Sequence, residues 1–170
     1  MKEILRLGHR IERDKRITSH VALTARAFGI SHLYYSGQKD SHFETSLKKV
    51  SEEFGGSFKI EHINKPLEIV KKKKKEGVCI VHLTMYGIPF EEKLRELEKE
   101  EKILFVVGGE KVEGVYYQMS DMNVSVSHQP ISEVSALGIL LYSLYGFASF
   151  KDGKREVLPS ENGKKIVKKK

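Results

Sequence analysis

Short runs of apolar residues recur along the chain, and helical patterns lie between them. Their length and their content of β-branched and aromatic residues predict buried strands at 4–7, 33–35, 58–60, 78–83 and 103–107. Parallel strands need crossover connections, so strands that alternate with helices predict a mostly parallel sheet with helices on both faces. The predicted fold class is α/β.

The ends of the predicted helices carry capping signals. Thr18 is a suitable N-cap, and Gly29 marks the end of the same helix. Ser41 and Glu44 have capping-box spacing, and the helix that they open closes at Gly55. Proline suits the first position of a helix, which predicts two further helices starting at Pro66 and Pro89.

The pattern changes after residue 107. Residues 108–130 contain no long helix, and a loop of that length in a compact domain usually has a function. Ser132 then caps a predicted helix to about Tyr145 that is apolar around nearly its whole circumference. Such a helix is buried, either in the core or in a subunit interface. We expect one domain over 1–150 and a basic C-terminal tail over 151–170.

Composition narrows the class of protein. No apolar run reaches the roughly 18 residues that span a bilayer, and the N-terminus is charged, so a cytoplasmic protein is expected. The single cysteine, Cys79, excludes a disulfide framework and is expected to be a small core residue. The seven histidines show no metal-binding spacing, and we expect no metal.

The net charge of +7 is unevenly distributed. Residues 151–170 hold eight Lys or Arg against three acids, and 71–75 is an unbroken lysine run. Such runs are typical of solvated tails and helix ends as well as of binding sites. Arginines cluster after the first strand, which favours a phosphate-bearing partner, with RNA ahead of acidic protein. Arg10 and Arg13 are the candidates for RNA contact, and the lysine runs are weaker ones.

Three segments follow the carboxyl ends of predicted strands, where open α/β sheets bind ligands: 83–87, 108–114 and 126–132. Their glycines are compatible with a tight turn or with close approach of backbone to a ligand. The spacing of Gly108, Gly109 and Gly114 does not match a dinucleotide-binding loop.

Two of these segments resemble known motifs. FVVGGEKV at 105–112 and NVSVSHQPISEVSAL at 123–137 resemble the second and third motifs of SPOUT methyltransferases. Together with LRLGHR at 5–10, RDKRIT at 13–18 and HVALTARAFG at 20–29, the set resembles the archaeal tRNA (cytidine-56) 2′-O-methyltransferases over 4–146. Glu113, His128 and Ile131 depart from the family pattern, which leaves the roles of these three side chains open.

The resemblance implies a homodimer with a deep trefoil knot near the C-terminus, and S-adenosyl-L-methionine bound in the knot. The partners implied are tRNA and a second copy of the chain. A non-catalytic RNA-binding module and an enzyme for another RNA target are the alternatives. The cofactor-binding residues implied are Leu83, Gly108, Gly109, Glu110, Lys111, Val112, Val126, Ser127, His128, Gln129, Pro130, Ile131, Ser132 and Glu133.

The resemblance also implies an arginine that assists the ribose 2′-hydroxyl. Arg16 and Arg26 match, and we favour Arg16 because it lies at the start of the predicted helix, about two and a half turns before Arg26. A guanidinium stays protonated, so Arg16 is expected to hold the adjoining phosphate and stabilise the developing alkoxide while another group takes the proton. The alternative is a surface ion pair with Asp14 or Glu12.

Overall fold

A computed structural model describes residues 1–109 and 111–169, apart from the side chain of Lys15. Six strands form one parallel sheet in the order β3-β2-β1-β5-β4-β6. This confirms the predicted class and the parallel sheet. The strands are β1 (Lys2–His9), β2 (His32–Gly37), β3 (Lys59–His62), β4 (Cys79–Pro89), β5 (Ile103–Val107) and β6 (Met122–Ser125).

Helices cover both faces of the sheet, as predicted. On one face, buried residues of the first, second, fourth and sixth helices pack in a single core. On the other face, the third and fifth helices contribute Val70 and Tyr116 to a second core. The helices are α1 (Ile11–Ala27), α2 (Ser41–Phe54), α3 (Pro66–Lys75), α4 (Phe90–Leu97), α5 (Gly114–Met119) and α6 (Glu133–Tyr145).

Helix α1 starts earlier than the sequence predicted. Thr18 is not an N-cap, because it is buried inside the helix, where its Oγ1 lies 2.9 Å from Nδ1 of His9. The helix starts at Ile11, whose backbone N–H donates to Oε1 of Gln38 at 2.7 Å. A side chain distant in sequence therefore satisfies a first-turn donor that a local cap usually takes. Arg16 consequently lies in the second turn, and the position we used to favour it was wrong.

Helix α2 covers the predicted residues, but its cap differs. Asp40 is the N-cap, and its side chain accepts from the backbone N–H of Phe43 at 2.9 Å. Glu44 accepts from the hydroxyl of Tyr35 at 2.5 Å, so it does not complete a capping box with Ser41. The tertiary contact with Tyr35 of β2 therefore replaces the local capping contact that the sequence predicted for the Glu44 carboxylate.

Strand β4 is longer than predicted, and segment 83–87 is part of it rather than a free loop. The register with β6 shifts between Leu83 and Ile88, so that Val124 pairs with both of them. The end of β4 therefore bends around the edge strand. This bend places the 83–87 segment beside the ends of β5 and β6.

The basic C-terminal segment contains a two-stranded antiparallel hairpin, β7 (Arg155–Leu158) and β8 (Lys165–Lys168). All eight strand residues are exposed. Asp152 attaches the segment to the domain by accepting from the backbone N–H of Gly56 at 2.9 Å. Over 1–109 and 111–169, we find no helix with the length and apolar character of a membrane span.

Candidate active site

The carboxyl ends of β4, β5 and β6 meet at one edge of the sheet and border a cavity of about 410 Å³, the first cavity. All three segments predicted to bind a ligand contribute to its wall. The predicted cofactor residues that line it are Leu83, Gly108, Gly109, Val112, Val126, Ser127, Gln129, Pro130, Ile131 and Glu133.

The other predicted cofactor residues have different positions. Lys111 lines a neighbouring cavity. Nε2 of His128 lies 3.0 Å from the carbonyl oxygen of Gly87, which ties the third segment to the first. Ser132 caps α6 by accepting from the backbone N–H of Val134 at 3.2 Å. Glu110 lies outside the described residues.

Sequence reasoning missed several residues of the wall. His82 was hidden in a run that predicts a buried strand, and Tyr117 lay in a short segment without a clear pattern. The only available signal was a histidine between apolar residues close to a predicted ligand segment. The lining residues outside the three predicted segments and the predicted cofactor set are His82, Val107, Tyr117 and Ala136, while Thr84, Met85 and Tyr86 belong to the predicted segment 83–87.

A hydrogen-bonded group forms one side of the first cavity. Nδ1 of His82 lies 3.0 Å from Oδ1 of Asn123, and the ring packs edge-on against Tyr117 at 4.5 Å between centroids. The Asn123 amide nitrogen donates to the carbonyl of Tyr117 at 3.0 Å, which fixes its oxygen toward His82. Nδ1 therefore donates. Burial lowers the pKa of His82, although the bond with Asn123 acts in the opposite direction, so the ring is held neutral.

The turn after β5 leaves little room for a side chain at Gly108. A Cβ added at Gly108 would lie 2.0 Å from Cγ2 of Val112, far closer than any real contact. Both residues line the first cavity, so the shape of this wall depends on the absence of a side chain at residue 108.

A buried arginine lies beneath the first cavity. Arg6 is only 1% exposed, and its Nη2 is 3.7 Å from Oε1 of Glu133. Its Nη1 donates to the carbonyl of Leu7 at 3.1 Å. Burial lowers the pKa of Arg6, while Glu133 and Asp14 raise it. The sequence signal was a cation inside the apolar run of β1, since arginine is rarely buried without a partner.

The arginines predicted to contact RNA or to assist the reaction have different environments. Arg16 and Arg13 are exposed on α1. Arg26 is buried, donates to the carbonyl of Gly55 and lies over the ring of Phe150 at 5.0 Å, which gives it a packing role. Arg10 pairs with Asp14 at 2.7 Å, so Arg10 holds the carboxylate considered as a partner for Arg16.

The lysine run 71–75 lies on α3 and is partly committed to internal contacts. Nζ of Lys73 is buried and lies 2.6 Å from Oε2 of Glu3, at the start of β1. Nζ of Lys74 lies 2.6 Å from Oδ1 of Asp121. These pairs lie at the amino-terminal edge of the sheet, opposite the first cavity. Among the residues described, no group of three or more His, Cys, Asp or Glu side chains is arranged to hold a metal.

The sequence matches a known family over most of its length. A profile of the aTrm56 family, described as tRNA ribose 2′-O-methyltransferase, matches residues 54–167. A protein of Archaeoglobus fulgidus named tRNA (cytidine(56)-2′-O)-methyltransferase is 48% identical over 168 residues, 96% of each chain. The chain belongs to the aTrm56 family. A relative of the same name in Metallosphaera sedula is 47% identical over 97% of each chain. The predicted resemblance is confirmed.

Solved structures support the fold of this aTrm56 family member. The TrmH/SpoU tRNA modifying enzyme of A. aeolicus superposes with a TM-score of 0.62 at 19% identity, covering 84% of this chain and 73% of that one. The SpoU methyltransferase AviRb of Streptomyces viridochromogenes, solved in complex with AdoMet, gives 0.59 at 16% identity, covering 85% and 56%. At these identities the likeness concerns the fold alone.

Proposed function

We propose that the chain transfers a methyl group from S-adenosyl-L-methionine to the ribose 2′-hydroxyl of cytidine 56 in the tRNA T-loop. The observation that carries the proposal is the convergence of both family motif segments on one cavity. Relatives matching nearly the whole chain bear the corresponding name. The proposal includes a cytoplasmic location, where tRNA is found.

The first cavity has the size and lining of a cofactor site. About 410 Å³ lies within the range of small-molecule pockets, which combine apolar walls with a few polar groups. Leu83, Val112 and Ile131 supply apolar surface, and His82 and Glu133 supply the polar groups. A carboxylate such as that of Glu133 suits a ligand that carries a sulfonium and an ammonium group. These residues fit the proposed cofactor.

Methyl transfer depends mainly on how the protein positions the methyl donor and the 2′-hydroxyl. The cofactor supplies a methyl group on a positive sulfur, so the protein has to hold the 2′-oxygen in line with it. When bound, the cofactor would supply the methyl group: the S–C bond would break as the O–C bond forms, S-adenosylhomocysteine would leave, and the hydroxyl proton would pass to a group other than the protonated Arg16. We propose that Arg16 holds the adjoining phosphate and stabilises the charge that develops on the oxygen. Arg10 and Arg13 are proposed to contact the tRNA backbone.

A homodimer is part of the proposal. Helix α6 turns Leu137, Leu140 and Leu141 into the core, while the opposite side leaves Ile139 46% and Tyr142 60% exposed. Phe147, 72% exposed, stacks on Phe28 beside them. Contiguous apolar patches of this kind mark interaction sites. Since both sides of the helix are apolar, a second copy of the same surface is the proposed cover.

The trefoil knot belongs to the same proposal. Strand β6 pairs with β4 both before and after the bend, at Leu83 and at Ile88. Strand β6 also connects α5, on one face of the sheet, to α6 on the other face. The pairing of Val124 with both parts of β4, together with this change of face, supports the proposed threading of the C-terminal segment.

The test is a methylation assay on tRNA transcripts. Purified protein is incubated with radiolabelled S-adenosyl-L-methionine and tRNA, and the modified nucleotide is located by mass spectrometry. We expect one methyl group on the ribose of cytidine 56, and none in a transcript with a 2′-deoxy residue there. Methylation at another nucleotide would indicate another RNA target. Binding of tRNA without transfer would indicate a non-catalytic RNA-binding module.

A further inference from the structure

A second cavity of about 450 Å³ lies at the carboxyl ends of β1 and β2. It shares Gly109 with the first cavity, so the two are neighbours along the same edge of the sheet. The proposed reaction needs a ribose next to the methyl donor. The lining residues are Leu7, Gly8, His9, Arg10, Gly37, Gln38, Gly109 and Lys111.

The floor of this second cavity is tightly built. Gly37 has a φ of +98°, and a Cβ added there would lie 2.3 Å from the carbonyl oxygen of His9. The same oxygen accepts from the backbone N–H of Gln38 at 2.8 Å, which joins the ends of the two strands. The ring of His9 is buried, with Nδ1 2.9 Å from Thr18 and Nε2 3.6 Å from Asp40. The residues that follow β2 are therefore held in place.

Gln38 presents a fixed amide to the second cavity. Its Oε1 accepts from the backbone N–H of Ile11 at 2.7 Å. A backbone N–H only donates, so the oxygen of the amide must lie on that side and the nitrogen on the other. The amide nitrogen carries two N–H donors. Gln38 lines the second cavity, and its contact with the start of α1 fixes which side of the amide carries the two donors.

Positive charge borders the same cavity. Lys111 is exposed at its wall, and Arg10 lines it with its guanidinium paired to Asp14. Arg6 adds a buried positive charge, with Nη1 3.6 Å from the place where a side chain of Gly109 would begin. A ligand with a phosphate beside a base that accepts hydrogen bonds matches this combination.

We propose that the second cavity binds the target nucleotide and that Gln38 reads its base by donating to the acceptor edge of cytosine, at N3 and O2. The inference rests on the proposed function. Enzymes and RNA-binding modules commonly read an extruded base by hydrogen bonds to its Watson–Crick edge. Uracil carries an N–H at position 3 where cytosine carries an acceptor, so a fixed donor discriminates against it. Gln38 is a specificity-determining residue, and Lys111 contacts the phosphate.

The test uses tRNA transcripts with cytidine or uridine at position 56 and compares kcat/KM for the two. In the Gln38→Glu variant one carboxylate oxygen still accepts from Ile11, while the other replaces the donor by an acceptor. It repels N3 of cytosine and accepts from N3–H of uracil. We expect the preference for cytidine over uridine to fall by about tenfold or more, the discrimination typical of a lost base-edge contact. The matched control is Gln118→Glu, an exposed residue of α5 outside both cavities.

Calorimetric measurement of S-adenosylhomocysteine binding shows whether each variant keeps its fold and its first cavity. If Gln38→Glu fails this check, Gln38→Ala carries the test, and its cytidine-to-uridine ratio is expected to fall toward one. An unchanged ratio in a variant that binds S-adenosylhomocysteine normally overturns the role of Gln38. Wild-type protein that fails to methylate the cytidine transcript overturns the proposed function itself, which separates the two failures.

Discussion

Nη2 of Arg6 lies 3.7 Å from Oε1 of Glu133, joining the buried part of β1 to the first turn of α6. Arg6 is almost completely enclosed, and within the described residues its Nε has no hydrogen-bond partner. A buried guanidinium is costly unless nearby groups compensate its charge. Glu133 and Asp14 are the carboxylates that do so, and Glu133 also lines the first cavity. Cofactor site and stability are therefore linked through this pair.

Replacing Glu133 by Gln is expected to lower the free energy of unfolding by about 1–2 kcal/mol. The loss is smaller than for a fully enclosed pair, because the Glu133 side chain is 35% exposed and water screens it. Urea unfolding measures the change, and Glu113→Gln, at an exposed position, is the control. The same variant should bind S-adenosylhomocysteine more weakly. Unchanged stability together with unchanged binding of S-adenosylhomocysteine would contradict the link between the Arg6–Glu133 pair and the cofactor site.

Arg16→Ala tests the proposed role of this arginine in transfer. Its side chain is exposed on α1, so the fold and the affinity for S-adenosylhomocysteine should be retained. We expect kcat to fall by about 100-fold or more, the usual effect of losing a group that stabilises transition-state charge. Single-turnover methylation measures the step directly. Arg95→Ala, also exposed but on α4, should be indistinguishable from wild type. Near-normal turnover in Arg16→Ala would remove it from the mechanism.

The strands were predictable because burial imposes a simple pattern, and β5 was predicted at its observed bounds. Helices α2 and α3 start at Ser41 and Pro66 as predicted. The start of α1 was missed because Oε1 of Gln38 satisfies the backbone donor of Ile11, and the cap of α2 was missed because Tyr35 binds the carboxylate of Glu44. No local rule reveals that a residue 27 positions away will satisfy a backbone donor. The bend of β4 was missed for the same reason, since its second pairing with Val124 exists only in the folded sheet.

The residues of the site also divide into those that local sequence patterns indicated and those that depend on tertiary contacts. Glycine turns and motif segments indicated the first cavity, whereas His82 and Arg6 were hidden inside strand patterns. Their polar groups face partners from distant segments, Asn123 and Glu133. Sequence spacing carries no information on such partners. A polar residue within an apolar strand was the only warning.

Gly108→Ala is expected to disrupt the turn after β5. The added methyl group would meet Cγ2 of Val112 at 2.0 Å, so the Val112 side chain or the turn must shift, and either shift changes the wall of the first cavity. We expect affinity for S-adenosylhomocysteine to fall by about tenfold or more, equivalent to about 1.4 kcal/mol. Calorimetric titration measures it. Gly114→Ala is the matched control, because a Cβ there meets open space. Equal affinities in the two variants would contradict the close contact.

Stability should fall as the pH drops below about 6.5, the ordinary pKa of histidine. Burial lowers the pKa of His82 in the folded protein, and burial also lowers that of His9 despite Asp40 and Asp14. The unfolded chain therefore binds more protons over this range, and protonation favours unfolding. The stabilisation contributed by the neutral rings is complete above pH 6.5 and is lost as the pH falls toward the pKa values that these histidines have in the folded protein.

His82→Gln should flatten this dependence between pH 7 and 5, because the replacement amide does not titrate. Urea midpoints measured at several pH values provide the slope. His42→Gln, at an exposed position on α2, should leave it unchanged. A wild-type slope in His82→Gln would show that the buried ring does not contribute.

Ile139→Glu is expected to convert the proposed dimer into monomers. Ile139 is 46% exposed on α6, one turn before Tyr142, whose ring lies 5.5 Å from that of Phe147 between centroids. In a symmetric contact the substitution places a carboxylate from each copy within the apolar interface, where an unpaired charge is strongly unfavourable. Sedimentation equilibrium at micromolar concentration should give the mass of two chains for wild type and one for the variant. Gln118→Glu, with the same charge change on α5, should remain a dimer, and a monomeric wild-type protein would contradict the proposed interface.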